Sequence, residues 1–167
     1  YYVIQNGEPT LVAMCDRYTS KEQEGITQLP SAYIFPSKHL DKYKEEVDEK
    51  VQNMLKGMKI QNGVLFLQCF IENGNVKIYE PGFRLNGAQE HMIVAPLTGI
   101  DAKELLLNYA LNGKMSDIKI KDIAEPNFHG KWACKLSPLV KEGQIACIQG
   151  IKEIEAMVGV IAVSTNY

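Results

Sequence analysis

The stretch from Gly63 to Gly87 constrains the fold of this chain more than any other. Two apolar runs, Gly63-Val-Leu-Phe-Leu-Gln68-Cys-Phe-Ile71 and Val76-Lys-Ile-Tyr-Glu80, flank Asn73-Gly74. β-Branched and aromatic residues on both sides of an Asn-Gly pair predict a β-hairpin, because Asn and Gly accept the left-handed backbone a tight turn needs. The second run ends on the carboxylate of Glu80, followed by Pro81-Gly82 and then Arg84. A carboxylate and an arginine at a strand end suit a metal and a phosphate better than a core. Taken alone, Glu80-Pro-Gly-Phe-Arg84 also fits a solvated surface turn.

The length of the hairpin loop decides which of these side chains can meet. A two-residue loop, Asn73-Gly74, sets Gln68 opposite Tyr79 and puts Glu80 on the other face. A three-residue loop, Glu72-Asn73-Gly74, sets Gln68 opposite Ile78 with Glu80 a diagonal neighbour on the same face. The second arrangement needs Gly74 in the left-handed region as part of a bulge. It is the expectation here, with Gln68 and Glu80 close enough to share an ion. A hard cation such as magnesium takes oxygen ligands and keeps waters and phosphates in its shell. Arg84, just past the turn, can meet a phosphate through its planar fork.

The rest of the chain reads as mixed α and β. Residues 1–16 predict a first hairpin around Asn6-Gly7, and residues 17–32 a polar loop. Arg17, after Asp16, is either a nucleotide-phosphate contact or a solvated loop residue. Ala32 to Phe35 is a short apolar segment before Pro36. Ser37 is a candidate cap for a helix over 38–58, with a core stripe of Leu40, Tyr43, Val47, Val51, Met54, Leu55 and Met58. Gln89 to Val94 predicts a short helix. Asp101-Ala-Lys-Glu104 is a capping box opening another, which Gly113 stops. Residues 114–129 read as a polar connection. Trp132 to Val140, Gln144 to Ile148 and Val158 to Val163 read as strands, with a short helix over Ile151 to Met157. Hairpins and separate helices in one chain predict an α+β fold with a mainly antiparallel sheet and packed helices. Residues 1–167 form one domain, in which 130–167 can set apart as a small β-rich terminal subdomain.

The chain of 167 residues is 46% hydrophobic, enough for a core without metal or disulfide staples, and its formal net charge of −2 offers nothing to a nucleic acid or an anionic membrane. No apolar run is long enough to span a bilayer. The scattered cysteines Cys15, Cys69, Cys134 and Cys147 lack a CxxC pair and are expected as reduced core thiols in the cytoplasm. An opening of Tyr1-Tyr2-Val3, already strand-like, is expected of a piece of a longer polypeptide. His39 is expected in solvent at the helix start, His91 is the histidine nearest the candidate site, and His129 has no partner visible in sequence.

Gly63 to Asp101 resembles the second half of the ATP-grasp fold, in the branch similar to the large chain of carbamoyl-phosphate synthases. That family carries Glu or Gln on one strand, Glu-x-Asn-Pro-Arg at the end of the next, and Thr-Gly-Ile-Asp before a helix. Gln68 matches the first metal-ligand position and Glu80 the second, which in the family can bridge two metals. Arg84 matches the arginine on the transferred phosphate, and Thr98-Gly99-Ile100-Asp101 the helix lead-in. Glu90-His91 is similar to a Glu-His pair of biotin carboxylases, at a different spacing. Gly82 and Phe83 depart from the family's Asn and Pro, so a second metal would need Asn86 or a water. A looser similarity extends to Cys15-Asp16-Arg17, to Tyr33–Ser37, and to Gly143–Gly150.

The resemblance implies the C-terminal lobe of an ATP-dependent ligase. The whole enzyme would use ATP and Mg to phosphorylate a carboxylate, and an amine or another nucleophile would attack the acyl phosphate. Gln68 and Glu80 would hold magnesium, and Arg17 and Arg84 would meet phosphate. The glycine-rich loop, lysine and adenine-binding strand of such enzymes belong to an upstream lobe, so the isolated lobe is expected to be inactive. A homo-oligomer is compatible with this reading. The alternatives are a degenerate lobe used for binding or assembly, and an unrelated α+β domain.

Overall fold

The computed structural model describes residues 1–19, 30–138, 140 and 143–164. The first strands are β1 (Tyr2–Gln5) and β2 (Glu8–Leu11), joined through Asn6 and Gly7, both at positive φ. β3 (Asp16–Thr19) and β4 (Pro30–Phe35) follow, so the strand begins where a polar loop from residue 17 was expected; the rest of that loop, 20–29, lies outside the described residues. The hairpin pairs β5 (Gly63–Glu72) with β6 (Asn75–Gly82), and β7 (Ala133–Leu136) comes late in the chain. Two antiparallel sheets result, in the orders β2-β1-β5-β6 and β3-β4-β7. With the helices packed on them, the fold is α+β.

The predicted long helix forms in three consecutive parts. These are α1 (Leu40–Tyr43), a π-helical turn (Lys44–Asp48) and α2 (Glu49–Gly57). The Ser37 hydroxyl accepts the His39 N–H at 3.0 Å and donates to Asp16 Oδ1 at 2.5 Å, tying the helix start to β3. Leu40, Tyr43, Val51 and Leu55 are buried, whereas Met54 and Met58 are exposed. Met54 stands to one side of the line through Val51 and Leu55, and Met58 is the C-cap residue that ends α2.

The helix covers one face of β1 through Tyr2, Ile4, Leu11 and Leu65. The other face carries Val3, Val12, Tyr33, Phe35, Val64, Val94, Ile100 and Phe128. Apolar material thus covers both faces of β1, and Tyr2, Val3 and Ile4 are at most 1% exposed.

α3 (His91–Thr98) and α4 (Ala102–Asn112) follow the second hairpin. Asp101 Oδ1 accepts the N–H groups of Lys103 and Glu104, and Gly113 ends α4 at φ 68°, as the capping residues predict. The supposed connection 114–129 is more than a connection. It holds α5 (Ile120–Ile123) and buries Met115, Ile120 and Phe128. Gln5 clamps it: its Nε2 donates to the carbonyls of Ser116 and Ile118, and its Oε1 accepts the Ile120 N–H.

Of the three late strand-like runs only the first forms, as β7 against β4. Gln144–Ile148 and the run after Val158 find no partner among the described residues, and apolar alternation makes a strand only where a neighbour completes the ladder. α6 (Ile151–Glu155) lies between them. No described helix is long and apolar enough to cross a membrane. The cysteine expectation changes too: Cys15 and Cys69 are half-buried, Cys134 and Cys147 are exposed, and all four are free.

Candidate functional site

The site is built on the second hairpin. Asn73 and Gly74 sit at φ 49° and 78°, and Glu72 pairs with Asn75, so the loop has two residues and not the expected three. Positive φ at both positions is the turn that matches the twist of paired strands, and Asn-Gly is the dipeptide that adopts it most readily. Continued without a break, this register would put Glu80 on the face away from Gln68. A β-bulge intervenes: Cys69 pairs with Ile78, the register shifts, and Gln68 pairs with Glu80. Tyr79 is the extra residue. A bulge sets two residues against one and re-aims the side chains beyond it. Gln68 and Glu80 therefore share a face, as expected, by a different device.

The paired side chains are joined directly. Gln68 Nε2 donates to Glu80 Oε2 at 2.8 Å, and the Tyr79 hydroxyl donates to Gln68 Oε1 at 2.6 Å. Arg17, on β3, donates from Nη1 to the same Gln68 oxygen, and also to the Tyr79 oxygen at 3.2 Å. The amide orientation follows from its partners: the oxygen meets donors and the nitrogen meets a carboxylate. The fold brings Arg17, Gln68 and Glu80 together from distant parts of the chain and adds Tyr79.

Arg84 lies farther along this face, toward the base of the hairpin. Its guanidinium stacks over Phe66 at 4.9 Å, and Nη1 donates to the Leu85 carbonyl at 2.9 Å. Phe66 pairs across the strands with Gly82. A Cβ on Gly82 would stand 2.2 Å from two Phe66 ring atoms, and Phe66 is only 3% exposed. Gly82 is thus the space that the Phe66 ring fills, and no side chain fits there. Phe83 makes the reciprocal contact over Gly63, where a Cβ would meet its ring at 2.2 Å. Asn86, the alternative second ligand, is engaged elsewhere: Oδ1 accepts the Ala88 N–H and Nδ2 donates to Glu90 Oε1, each at 3.0 Å.

Sequence reasoning gave no site role to Tyr79, Glu90 or Lys135. Glu90 is 8% exposed and borders a cleft of about 350 Å³ that Arg17, Phe66, Gln68, Phe70 and Asn86 also line. Burial raises its carboxyl above the usual range, opposed by Arg17, the Cys15 thiol and Lys135. Burial lowers the Lys135 ammonium, opposed by Glu90. Lys135 Nζ donates to the Ala88 carbonyl and lies 5.6 Å from the Tyr33 ring centre, while the Arg17 guanidinium lies 6.0 Å from it. Tyr33 thereby gathers two cations. The Glu90-His91 dipeptide was visible in sequence, but its burial was not. Lys135 lies in an alternating run and carries no local signal. His91 lines a small chamber with Tyr1, Arg84, Asn86 and Glu90, whereas His129 is exposed in a turn.

Among the described residues no three His, Cys, Asp or Glu side chains converge as a ready metal cage. Glu80 and Gln68 offer one carboxylate and one amide oxygen, both hard donors. Such a pair suits magnesium, which is commonly bound through one or two carboxylates together with phosphate oxygens. Arg17 adds a positive charge directly on Gln68 that an anionic ligand would neutralise. Neither a protein-family model nor a curated protein matches this chain.

Proposed function

We propose that this chain is the C-terminal lobe of an ATP-grasp ligase of the carbamoyl-phosphate synthase-like kind, and that it holds Mg and the phosphates of ATP. The observation that carries this reading is the directly paired Gln68 and Glu80, with Arg17 bonded to Gln68 and Arg84 farther along the same face. Glu80 and Gln68 would hold magnesium, which supplies neutralisation of phosphate charge. Arg84 lies over the Phe66 ring, and one of its nitrogens is tied to Leu85, which leaves donors of the fork for a phosphoryl group. Phosphoryl transfer depends mainly on such positioning and electrostatics, so few acid–base groups are needed. The reaction class is phosphorylation of a small-molecule carboxylate, followed by attack of an amine or another nucleophile. The partner is an N-terminal lobe of the same polypeptide, which would supply the adenine pocket. Four free thiols favour a reducing cytoplasmic setting.

Calorimetry tests this reading. The lobe alone is expected to bind Mg-ATP weakly and to show no turnover, and micromolar affinity would overturn the half-cleft. In the polypeptide carrying both lobes, Glu80→Gln and Arg84→Ala should each lower turnover on the order of a hundredfold with little loss of stability, as for one preorganised electrostatic donor. Wild-type hydrolysis by an unfolding-prone variant would make these residues structural. A second reading, a degenerate lobe used for binding or assembly, draws on Gly82: Phe66 fills the place of a second ligand and leaves one carboxylate.

A further inference from the structure

The β-bulge that pairs Gln68 with Glu80 also delivers Tyr79 to the same amide. The Gln68 oxygen accepts from both Arg17 and Tyr79, which occupies both of its lone pairs. The Gln68 nitrogen is committed to Glu80. Gln68 is therefore a relay that joins a cation on β3 to a carboxylate on β6. A divalent ion and these two donors are alternatives at one oxygen atom.

We propose that Tyr79 is a positioning residue of the site: with Arg17, it withholds the Gln68 oxygen from a divalent cation and leaves Glu80 as the first point of attachment. This deepens the magnesium reading and rests on it. A cation meeting the site gains Glu80 at once and gains Gln68 only when the Arg17–Tyr79 pair lets go. Tyr79 acts through Gln68 and touches neither metal nor phosphate. Its hydroxyl carries no charge, so its removal leaves the field at the site nearly unchanged. That separates the latch from the general repulsion that Arg17 exerts on any cation.

The test is Mn²⁺ binding to the chain, read by the loss of the free-ion electron paramagnetic resonance signal, with a thermal melt on every variant. Tyr79→Phe is expected to tighten Mn²⁺ binding about two- to tenfold, the range that one net hydrogen bond sets. Arg17→Met should tighten it more, because it also removes a positive charge. Glu80→Gln should weaken it. The decisive arm is Tyr79→Phe in a Gln68→Ala background, where the gain should vanish because the two residues act as a unit. The proposal is overturned if Tyr79→Phe leaves the affinity unchanged, or if its gain survives without Gln68. If wild type and Glu80→Gln bind Mn²⁺ equally, or if no variant binds it, the magnesium reading falls and the latch falls with it. Binding that depends on Glu80 but ignores Tyr79 removes the latch alone.

Discussion

The two Asn-Gly hairpins share a turn and differ in almost everything beyond it. Asn6 and Gly7 stand at φ 54° and 81°, Asn73 and Gly74 at 49° and 78°. The first hairpin keeps an unbroken register from Tyr2–Leu11 to Gln5–Glu8, and all four residues of β1 are buried. The second breaks register at Gln68, and most of β6 is exposed. The cause lies in their surroundings. β1 has a strand on each side and apolar clusters on both faces. β5 is paired with β1 only over Gly63 to Leu65. Beyond that support the hairpin reaches outward, and a bulge and a polar network are tolerated there because no core has to close over them. A turn sets how a hairpin closes, while its neighbours set what it is used for.

Substitutions can break that contrast. The largest effect is expected in the first hairpin, where Ile4 is fully buried. Ile4→Ala should cost about 2–5 kcal/mol in urea denaturation, through lost burial and the cavity left behind. A loss well below that range would mean that β1 is not the centre of the core.

Gly82→Asn comes next. It would carry the resembled family's ligand, but its Cβ meets the Phe66 ring, so it should cost about 1–3 kcal/mol as an overpacked site. The base of the second hairpin would then behave as core, unlike its tip. A neutral result with tighter Mn²⁺ binding would show that Phe66 moves aside, and would remove the steric account of Gly82.

The smallest effect is expected beneath the hairpin. Burial raises the Glu90 carboxyl above its ordinary value of 4.5, so the folded chain holds that proton more tightly than the unfolded chain. Stability from this group is full below the unfolded value and is lost as pH rises through the folded one. Glu90→Gln should therefore raise the melting temperature at neutral pH, and the gain should shrink as pH falls through the raised folded value and be gone below about 4.5. A gain that is constant with pH would mean that the Glu90 proton is not linked to folding.

Legibility followed the range of the interaction. Both Asn-Gly turns, the Asp101 cap and the Gly113 stop were readable because each depends on a few adjacent residues. The long helix was readable, but its π-turn and the exposure of Met54 and Met58 were not, since periodicity assumes an unbroken repeat and does not say which turns are covered. The late runs at 144–148 and 158–163 misled because alternation says nothing about whether a partner strand is present. At the site, the residue types of Gln68, Glu80, Arg84 and Arg17 could be singled out. The loop length assigned to the hairpin was wrong, and its consequence for Gln68 and Glu80 survived only through the bulge.

The amino-acid sequence by itself determined the α+β character of the chain, its hairpins, and which residues carry oxygen and guanidinium groups suited to a metal and a phosphate. Those follow from backbone preference and side-chain chemistry, which act over a few residues. Tertiary structure alone decided that Arg17 reaches Gln68 from another sheet, that Phe66 fills the space of Gly82, and that Glu90 is buried beside Lys135 and Cys15. Each of these joins parts of the chain far apart in sequence. Their meeting is set by how the sheets and helices pack, and no local pattern encodes that distance.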